Sequence, residues 1–185
     1  MKLLTLSALT SLSLFSSVLS ANDLYIGGSI ASLTHSKSDF NDLDLLAFSA
    51  KMGFQFNDSF STEIRYAGGI EGDSSPSLIG RYEDPTSDFT MDVDLKKLYG
   101  VYLRAGVAND SNIYPYTVIG IARTDIKYAS MYGASSNSET GLSYGFGADI
   151  KLDGFSFTAE YTIYSDRTKD NSKVNGFSIG LTKYF

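Results

Sequence analysis

Cysteine and tryptophan are absent from this sequence of 185 residues, and proline occurs only three times. The lack of cysteine excludes disulfides and thiolate metal ligands. After the first twenty residues no apolar run reaches about twenty residues, which excludes a transmembrane helix in that part of the chain. The abundant residues, 13 Tyr, 12 Phe and 17 Gly, favour strands and tight turns over helices.

Basic residues are in the minority. The sequence has 15 Lys and Arg against 21 Asp and Glu, which gives a formal net charge of −6. A nucleic-acid-binding surface needs a basic stripe, so we predict no nucleic-acid partner. With a single histidine and no cysteine, we predict neither a transition-metal site nor a cofactor.

The first 21 residues have the pattern of a secretory signal peptide. An apolar run follows Lys2, and the small residues Ser20 and Ala21 come after it. Cleavage after Ser20 or after Ala21 fits this pattern. We therefore predict a signal peptide over residues 1–21 and an exported domain over residues 22–185.

Eight segments of about ten to fifteen residues follow, and most of them alternate between apolar and small or polar residues. In the second segment, for example, Phe48 and Met52 lie on one face, while Ser49 and Lys51 lie on the other. The fifth segment is apolar on both faces, and its sides are not assigned. The predicted strands are 24–33, 43–56, 60–71, 93–107, 113–127, 140–152, 155–166 and 174–185.

The connections between these segments alternate in length. The short turns are 57–59, 108–112 and 153–154, and the long polar loops are 34–42, 72–92, 128–139 and 167–173. Short turns on one side and long loops on the other are typical of a transmembrane β-barrel. An even number of antiparallel strands closes such a barrel without a free edge, as a bilayer requires. We predict an all-β, eight-stranded, antiparallel up-and-down transmembrane β-barrel.

The alternative is a soluble eight-stranded barrel of the ligand-carrier type. Such a barrel needs an apolar interior and a polar exterior. Here one face of the strands is rich in Phe, Tyr, Leu and Ile, and the other is small and charged. This division favours a membrane barrel with its apolar face toward lipid and a polar interior.

The final segment, "GFSIGLTKYF", ends on an aromatic residue. Together with the signal peptide and the eight strands, it resembles the small outer-membrane β-barrel proteins of Gram-negative bacteria, such as opacity-type proteins and the barrel of outer-membrane protein A. In that family the last strand is an assembly signal of alternating apolar residues. The residues that match it here are Phe177, Ile179, Leu181 and Phe185. The sequence departs from the family pattern at Lys183, where an apolar residue is frequent.

This resemblance implies a monomer in the outer membrane after signal-peptide cleavage. It also implies contact with outer-membrane lipid and lipopolysaccharide. Insertion would depend on the barrel-assembly machinery and on periplasmic chaperones.

Six charged residues are predicted to face the interior of the barrel, three of each sign. They are Lys51, Glu63, Arg65, Arg104, Asp149 and Glu160. An eight-stranded barrel is just wide enough for side chains to fill it, so isolated charges there would be unfavourable and a balanced network is acceptable. Two interpretations follow, a salt-bridge gate that passes small solutes and a fixed polar plug. Because narrow barrels are usually filled, the plug is favoured.

An outer-membrane enzyme that modifies lipids is a hypothesis of a different class. Such enzymes need a histidine and a serine two residues apart on a strand. The single histidine, His35, is followed two residues later by Lys37 and is assigned to the first long loop, where it would be solvated. We therefore predict no enzymatic activity.

The long loops are the remaining candidates for function. Loop 72–92 is acidic, and loop 128–139 carries Tyr128, Met131 and Tyr132, which we expect to be exposed to an unknown extracellular ligand. The predicted function is a structural or surface-interaction, adhesin-like role that works through four extracellular loops. The alternative is a narrow passive channel for small hydrophilic solutes.

Overall fold

Alternating strands form almost all of the described structure. The computed structural model describes residues 24–37, 42–76, 90–130, 133–167 and 172–185. Its strands are β1 Leu24–Lys37, β2 Leu43–Gln55, β3 Phe60–Glu71, β4 Asp73–Pro76, β5 Thr90–Gly106, β6 Ile113–Ser130, β7 Gly133–Leu152, β8 Phe155–Arg167 and β9 Ser172–Tyr184.

Each strand pairs antiparallel with its neighbours in one continuous sheet of order β3-β2-β1-β9-β8-β7-β6-β5-β4. The additional pairing of β3 with β5 closes the sheet into a barrel. Strand β4 continues β3 after Gly72 and pairs with the beginning of the same strand, β5. These two pieces therefore form one barrel strand, and the prediction of an eight-stranded antiparallel barrel is confirmed.

Several strands extend further than predicted, and β1 and β7 do so by the most residues. β1 continues to Lys37, and β7 begins at Gly133, so much of the predicted loops 34–42 and 128–139 is strand. β7 is extended because β6 pairs with it without interruption as far as Ser130 and Gly133. The predicted signal peptide and most of loop 72–92 lie outside the described residues.

The outer surface of the barrel carries a belt of exposed apolar side chains, which we call the apolar belt. It includes Ile26, Ile30, Phe48, Met52, Ile64, Val101, Leu103, Ile119, Ile121, Phe146, Phe157, Phe177, Ile179 and Leu181. Their side chains are roughly half exposed, which is unusual for so many large apolar residues in one molecule. In the described residues, no helix is long and apolar enough to cross a membrane.

The interior has two layers, and this corrects the expectation of an interior that is polar throughout. Near the long-loop end it is filled by an apolar plug made of Ala31, Leu33, Leu43, Leu45, Ala47, Ala67, Val93, Leu95, Leu98, Ile126, Tyr164 and Val174. The polar layer lies below it, toward the short turns. The sequence pattern did not predict this layer, because the inward face was expected to carry small and polar residues. Leu43 and Leu45 lie on the inward face of β2, in register with buried residues of β1.

The pairing shifts register at three places, all in the half of the barrel near the long loops. The extra residues are Ile70 on β3, Lys96 on β5 and Tyr164 on β8. Each is a β-bulge, which bends the strand and increases its local twist. At the opposite end, Gly154 has φ +73°, and it forms the two-residue turn predicted at 153–154.

Candidate functional site

The six charged residues predicted to face inward lie together inside the barrel, and we call them the ion cluster. Glu63 is at its centre and is fully buried. Its carboxylate lies 2.5 Å from Arg65 Nη2, 3.6 Å from Arg104 Nη1 and 3.9 Å from Lys51 Nζ. One carboxylate therefore faces three cations from three strands, β2, β3 and β5.

Arg65 joins the two halves of the barrel. Its Nη1 and Nη2 donate to the two carboxylate oxygens of Glu160 on β8, at 2.5 and 2.9 Å, and its Nε donates to Glu63 at 2.7 Å. Such two-pronged pairs are the strongest and most directional ion pairs that proteins form. The contact crosses the interior because β3 and β8 are not neighbours in the sheet.

Arg104 forms the second link across the interior. Its guanidinium donates to Asp149 on β7, and its Cζ lies 3.6 Å from the ring centroid of Tyr116. Thr158 Oγ1 also donates to Asp149, at 2.9 Å. Both charged side chains are buried, so this pair is shielded from water and screened little by salt.

The sequence did not identify the neutral residues that complete the ion cluster. Tyr25 donates to Glu63 at 2.8 Å, and Tyr116 and Thr162 donate to Glu160 at 3.0 and 2.6 Å. Tyr102 packs under the Arg65 guanidinium at 4.5 Å. Tyr116 on β6 was missed because that strand is apolar on both faces. Tyr102 lies two residues before Arg104, so it shares the inward face predicted for that charge. The inward alternation of the neighbouring strands is the signal that could have found them.

Little space is left around the ion cluster. A cavity of about 30 Å³, lined by residues such as Ser49, Arg65 and Glu160, lies at this level and is about large enough for a single water. A larger cavity of about 270 Å³ opens at the short-turn end and is lined by Tyr25, Arg104 and others. The ion cluster and the apolar plug thus form two successive filled layers.

Gly53 makes room for Tyr25 against the ion cluster. A Cβ at this position would lie 2.1 Å from the ring Cζ of Tyr25 and 2.4 Å from its hydroxyl. We expect Gly53→Ala to displace that ring from Glu63 and to lower the free energy of unfolding by about 1–3 kcal/mol, measured by urea titration of the refolded barrel. The matched control is Gly28→Ala, where the nearest atom lies 3.5 Å away and no loss is expected. Equal losses in both variants would contradict this assignment.

His35 does not lie in a solvated loop as predicted. It belongs to β1, is 2% exposed, and lies inside the barrel at the long-loop end. Its Nε2 is 3.1 Å from the hydroxyl of Tyr128, which is part-buried rather than exposed as expected. Burial raises the pKa of the Tyr128 hydroxyl. Met131 and Tyr132 lie outside the described residues.

Charged side chains begin where the apolar belt ends on β5 and β6. Lys97 and Arg123 are the first outward-facing residues beyond Tyr99 and Ile121, and each is about half exposed. Both contact Asp125, at 3.3 and 3.2 Å. Hydrogen bonds from Ser138, Arg123 and Lys97 hold the pKa of the Asp125 carboxyl below its usual range, so it stays ionised and orients the two cations.

The four residues matched to the assembly signal all face outward. Phe177, Ile179, Leu181 and Phe185 are each about half exposed within or beside the apolar belt. Lys183, the departure from the family pattern, is also exposed, and its Nζ lies 4.6 Å from the ring centroid of Phe155. A role of these residues in assembly stays a prediction.

Residues 4–185 match the family described as "Outer membrane protein beta-barrel domain". The chain belongs to this family. Membership locates this barrel in the bacterial outer membrane. Outer-membrane barrels have their short turns toward the periplasm and their longer loops outside the cell. Comparison with curated proteins finds no match.

Several solved outer-membrane barrels have a similar structure. Ail of Yersinia pestis, in complex with the heparin analogue sucrose octasulfate, has a TM-score of 0.62 at 21% identity, covering 88% of this chain and 98% of Ail. Neisserial surface protein A has a TM-score of 0.61 at 16% identity, covering 90% and 98%. OprG of Pseudomonas aeruginosa has a TM-score of 0.54 at 14% identity, covering 89% and 96%. At these identities the likeness shows the fold alone.

The described residues contain no group of three or more His, Cys, Asp or Glu side chains placed to hold a metal ion. The ion cluster mixes three cations with three carboxylates, so its carboxylates are already paired with protein cations. Together with their hydrogen-bonded neighbours, these side chains fill the interior of the barrel at this level.

Proposed function

We propose that this outer-membrane barrel is a structural and surface-interaction protein that acts through its extracellular end. One observation carries the proposal. The β6–β7 hairpin keeps its pairing for nine residues beyond the last pair of exposed apolar residues, Ile121 and Leu142, as far as Ser130 and Gly133. At about 3.3 Å per residue along the strand, this hairpin extends well above the belt. Residues 133–138 are all exposed, and they are small or polar.

The interior argues against transport as the main role. A solute would have to pass both the ion cluster and the apolar plug. Opening only one of these layers leaves the other in place. The passive-channel hypothesis is therefore the weaker one.

Lipopolysaccharide is the partner that we propose for the lower part of the extracellular end. Lys97 and Arg123 face outward at the level where the phosphates of the outer leaflet begin, and Lys96 is exposed beside them. Cations on flexible stems at this depth attract anionic headgroups by about 1 kcal/mol each. The upper hairpin would remain free for an extracellular ligand. The heparin analogue bound by Ail makes a sulfated polyanion a reasonable first probe for that ligand.

We also propose how the protein is exported and assembled. Residues 1–21 are a signal peptide that is removed on export. The assembly machinery recognises the apolar residues of β9 and inserts the monomeric barrel with the help of periplasmic chaperones. An enzymatic role finds no support, because His35 lies inside the barrel and away from the lipid-facing surface on which a lipid-modifying enzyme works.

Planar-bilayer recordings test the absence of transport. We expect the refolded protein to show no stable openings, because two filled layers block the interior. Heat-modifiable mobility on gels is the control that shows the silent sample to be folded. Discrete, reproducible openings of the folded wild type would overturn this part of the proposal.

Binding of labelled lipopolysaccharide to the barrel in phosphatidylcholine nanodiscs tests the surface role. We expect Lys97→Ala and Arg123→Ala each to weaken binding about fivefold, which corresponds to about 1 kcal/mol per cation. The matched control is Lys151→Ala, an exposed cation at the periplasmic end, which should leave the affinity unchanged. An equal loss in Lys151→Ala would mean that binding follows net charge and not the outer rim.

A further inference from the structure

The lipid-facing surface of the barrel has a groove across β9, β1 and β2. Its volume is about 530 Å³, and its floor is formed by Gly28 and Ala50, which are register partners on β1 and β2. Leu181 and Met52 form its sides. The groove exists because these two neighbouring outward positions carry almost no side chain, while the residues around them are large.

A groove of this kind in a membrane must be occupied. A void would leave its lining without partner atoms, so an acyl chain that enters gains contacts that a flat surface does not offer. A second copy of this chain packed symmetrically over the groove would bring two Lys183 side chains close together at the same depth. This repulsion disfavours a second copy and leaves a lipid as the occupant.

The periplasmic end of the groove carries a cation. Lys183 lines the groove there, is exposed, and makes no ion pair with an acid among the described residues. The rings of Phe155 and Phe185 lie 4.6 and 6.0 Å from its Nζ and fix its position at the interface. Strand β9 runs toward the periplasm, so this ammonium lies at the headgroup level of the inner leaflet, with the groove above it in the hydrocarbon.

We propose that this groove is a binding site for an anionic glycerophospholipid of the periplasmic leaflet. The Lys183 ammonium holds the headgroup, and one acyl chain lies over Gly28 and Ala50. The proposal gives a reason for a lysine at a position where the family pattern has an apolar residue. It is independent of the surface role, because the two sites lie at opposite ends of the barrel and in opposite leaflets.

The absence of tryptophan provides a clean test. A single reporter, Phe48→Trp, replaces a ring that lies 3.5 Å from the position of a Cβ on Gly28, at the upper end of the groove. The barrel is refolded into phosphatidylcholine vesicles that contain increasing fractions of chain-brominated phosphatidylglycerol or chain-brominated phosphatidylcholine. We expect the anionic lipid to quench the reporter with about fivefold preference over the zwitterionic one.

Three variants decide the outcome. Lys183→Gln should bring the preference to about one, and Gly28→Leu should do the same by filling the groove while leaving the cation in place. The reporter Val101→Trp, on β5 and three strands away from β1 around the barrel, should show no preference. Heat-modifiable mobility establishes that each variant is folded, and the Lys183→Gln comparison stands by itself if Gly28→Leu does not fold.

Equal quenching by the two lipids at Phe48→Trp would overturn the proposal, as would a preference that survives Lys183→Gln. A preference that survives Gly28→Leu would show that the ammonium acts without the groove, and the chain-binding site would be wrong. Loss of quenching as the protein-to-lipid ratio rises would mean that a second copy covers the groove instead.

Discussion

Replacing Arg65 by methionine is expected to lower the free energy of unfolding of the barrel by about 3–5 kcal/mol. The guanidinium binds Glu160 through two hydrogen bonds and Glu63 through a third, and all three side chains are buried. Methionine retains most of the packing volume but leaves two carboxylates with fewer cations. Removal of one partner of a buried ion pair has a large effect because the remaining charge is desolvated without compensation. Urea titration of the refolded protein in lipid vesicles measures the loss.

Two controls separate the ion pair from the loss of a side chain. The double variant Arg65→Met with Glu160→Gln also removes the carboxylate charge that Arg65→Met alone leaves unpaired. We expect the double variant to recover much of the stability. Lys51→Met removes a cation that lies 3.9 Å from Glu63 and should have a smaller effect. A loss below about 1 kcal/mol in Arg65→Met would resemble an exposed pair and would mean that water reaches the ion cluster.

Leu45→Ala in the apolar plug is expected to lower the free energy of unfolding by about 2–5 kcal/mol. Leu45 is 1% exposed and directly opposite Leu33, so its truncation leaves a cavity that the rigid strands cannot close. Leu103→Ala on the lipid-facing side is the matched control, because it removes the same atoms at a site 54% exposed, where lipid refills the space. The difference between the two variants, about 1–3 kcal/mol, isolates the cavity contribution.

The same urea titration measures both leucine variants. Equal losses would indicate that lipid or water enters the plug, and that the interior is less well packed than the buried leucines suggest.

The sequence predicted the barrel well because one face of most strands meets lipid and the other meets a narrow interior. The two environments select different residues, and β2, β3, β7, β8 and β9 show the alternation clearly in the sequence. Strand β6 did not, because Tyr116 and Val118 pack inside while Ile119 and Ile121 meet lipid. A strand whose two faces both meet apolar surroundings carries apolar residues on both faces, so its sequence does not show which face points inward.

Other features depend on partners far along the chain. The polar stretch 133–139 has no strand pattern of its own, and it is a strand because β6 pairs with it. The apolar plug was missed because the interior is polar at the level of Lys51 and apolar at the level of Leu45 and Leu43. The pattern of polar inward and apolar outward residues therefore holds for only part of β2. Inward charges are visible in the sequence, but the pairing of Arg65 with Glu160 across 95 residues depends on barrel closure.

The three bulges near the long loops affect which insertions and deletions this protein can tolerate over evolutionary time. In a regular strand, an insertion or deletion of one residue exchanges every inward side chain beyond it for an outward one. The extra residues Ile70, Lys96 and Tyr164 show that this barrel absorbs such one-residue offsets locally, above the ion cluster. The half of the barrel near the long loops can therefore gain or lose single residues while the buried charges keep their partners.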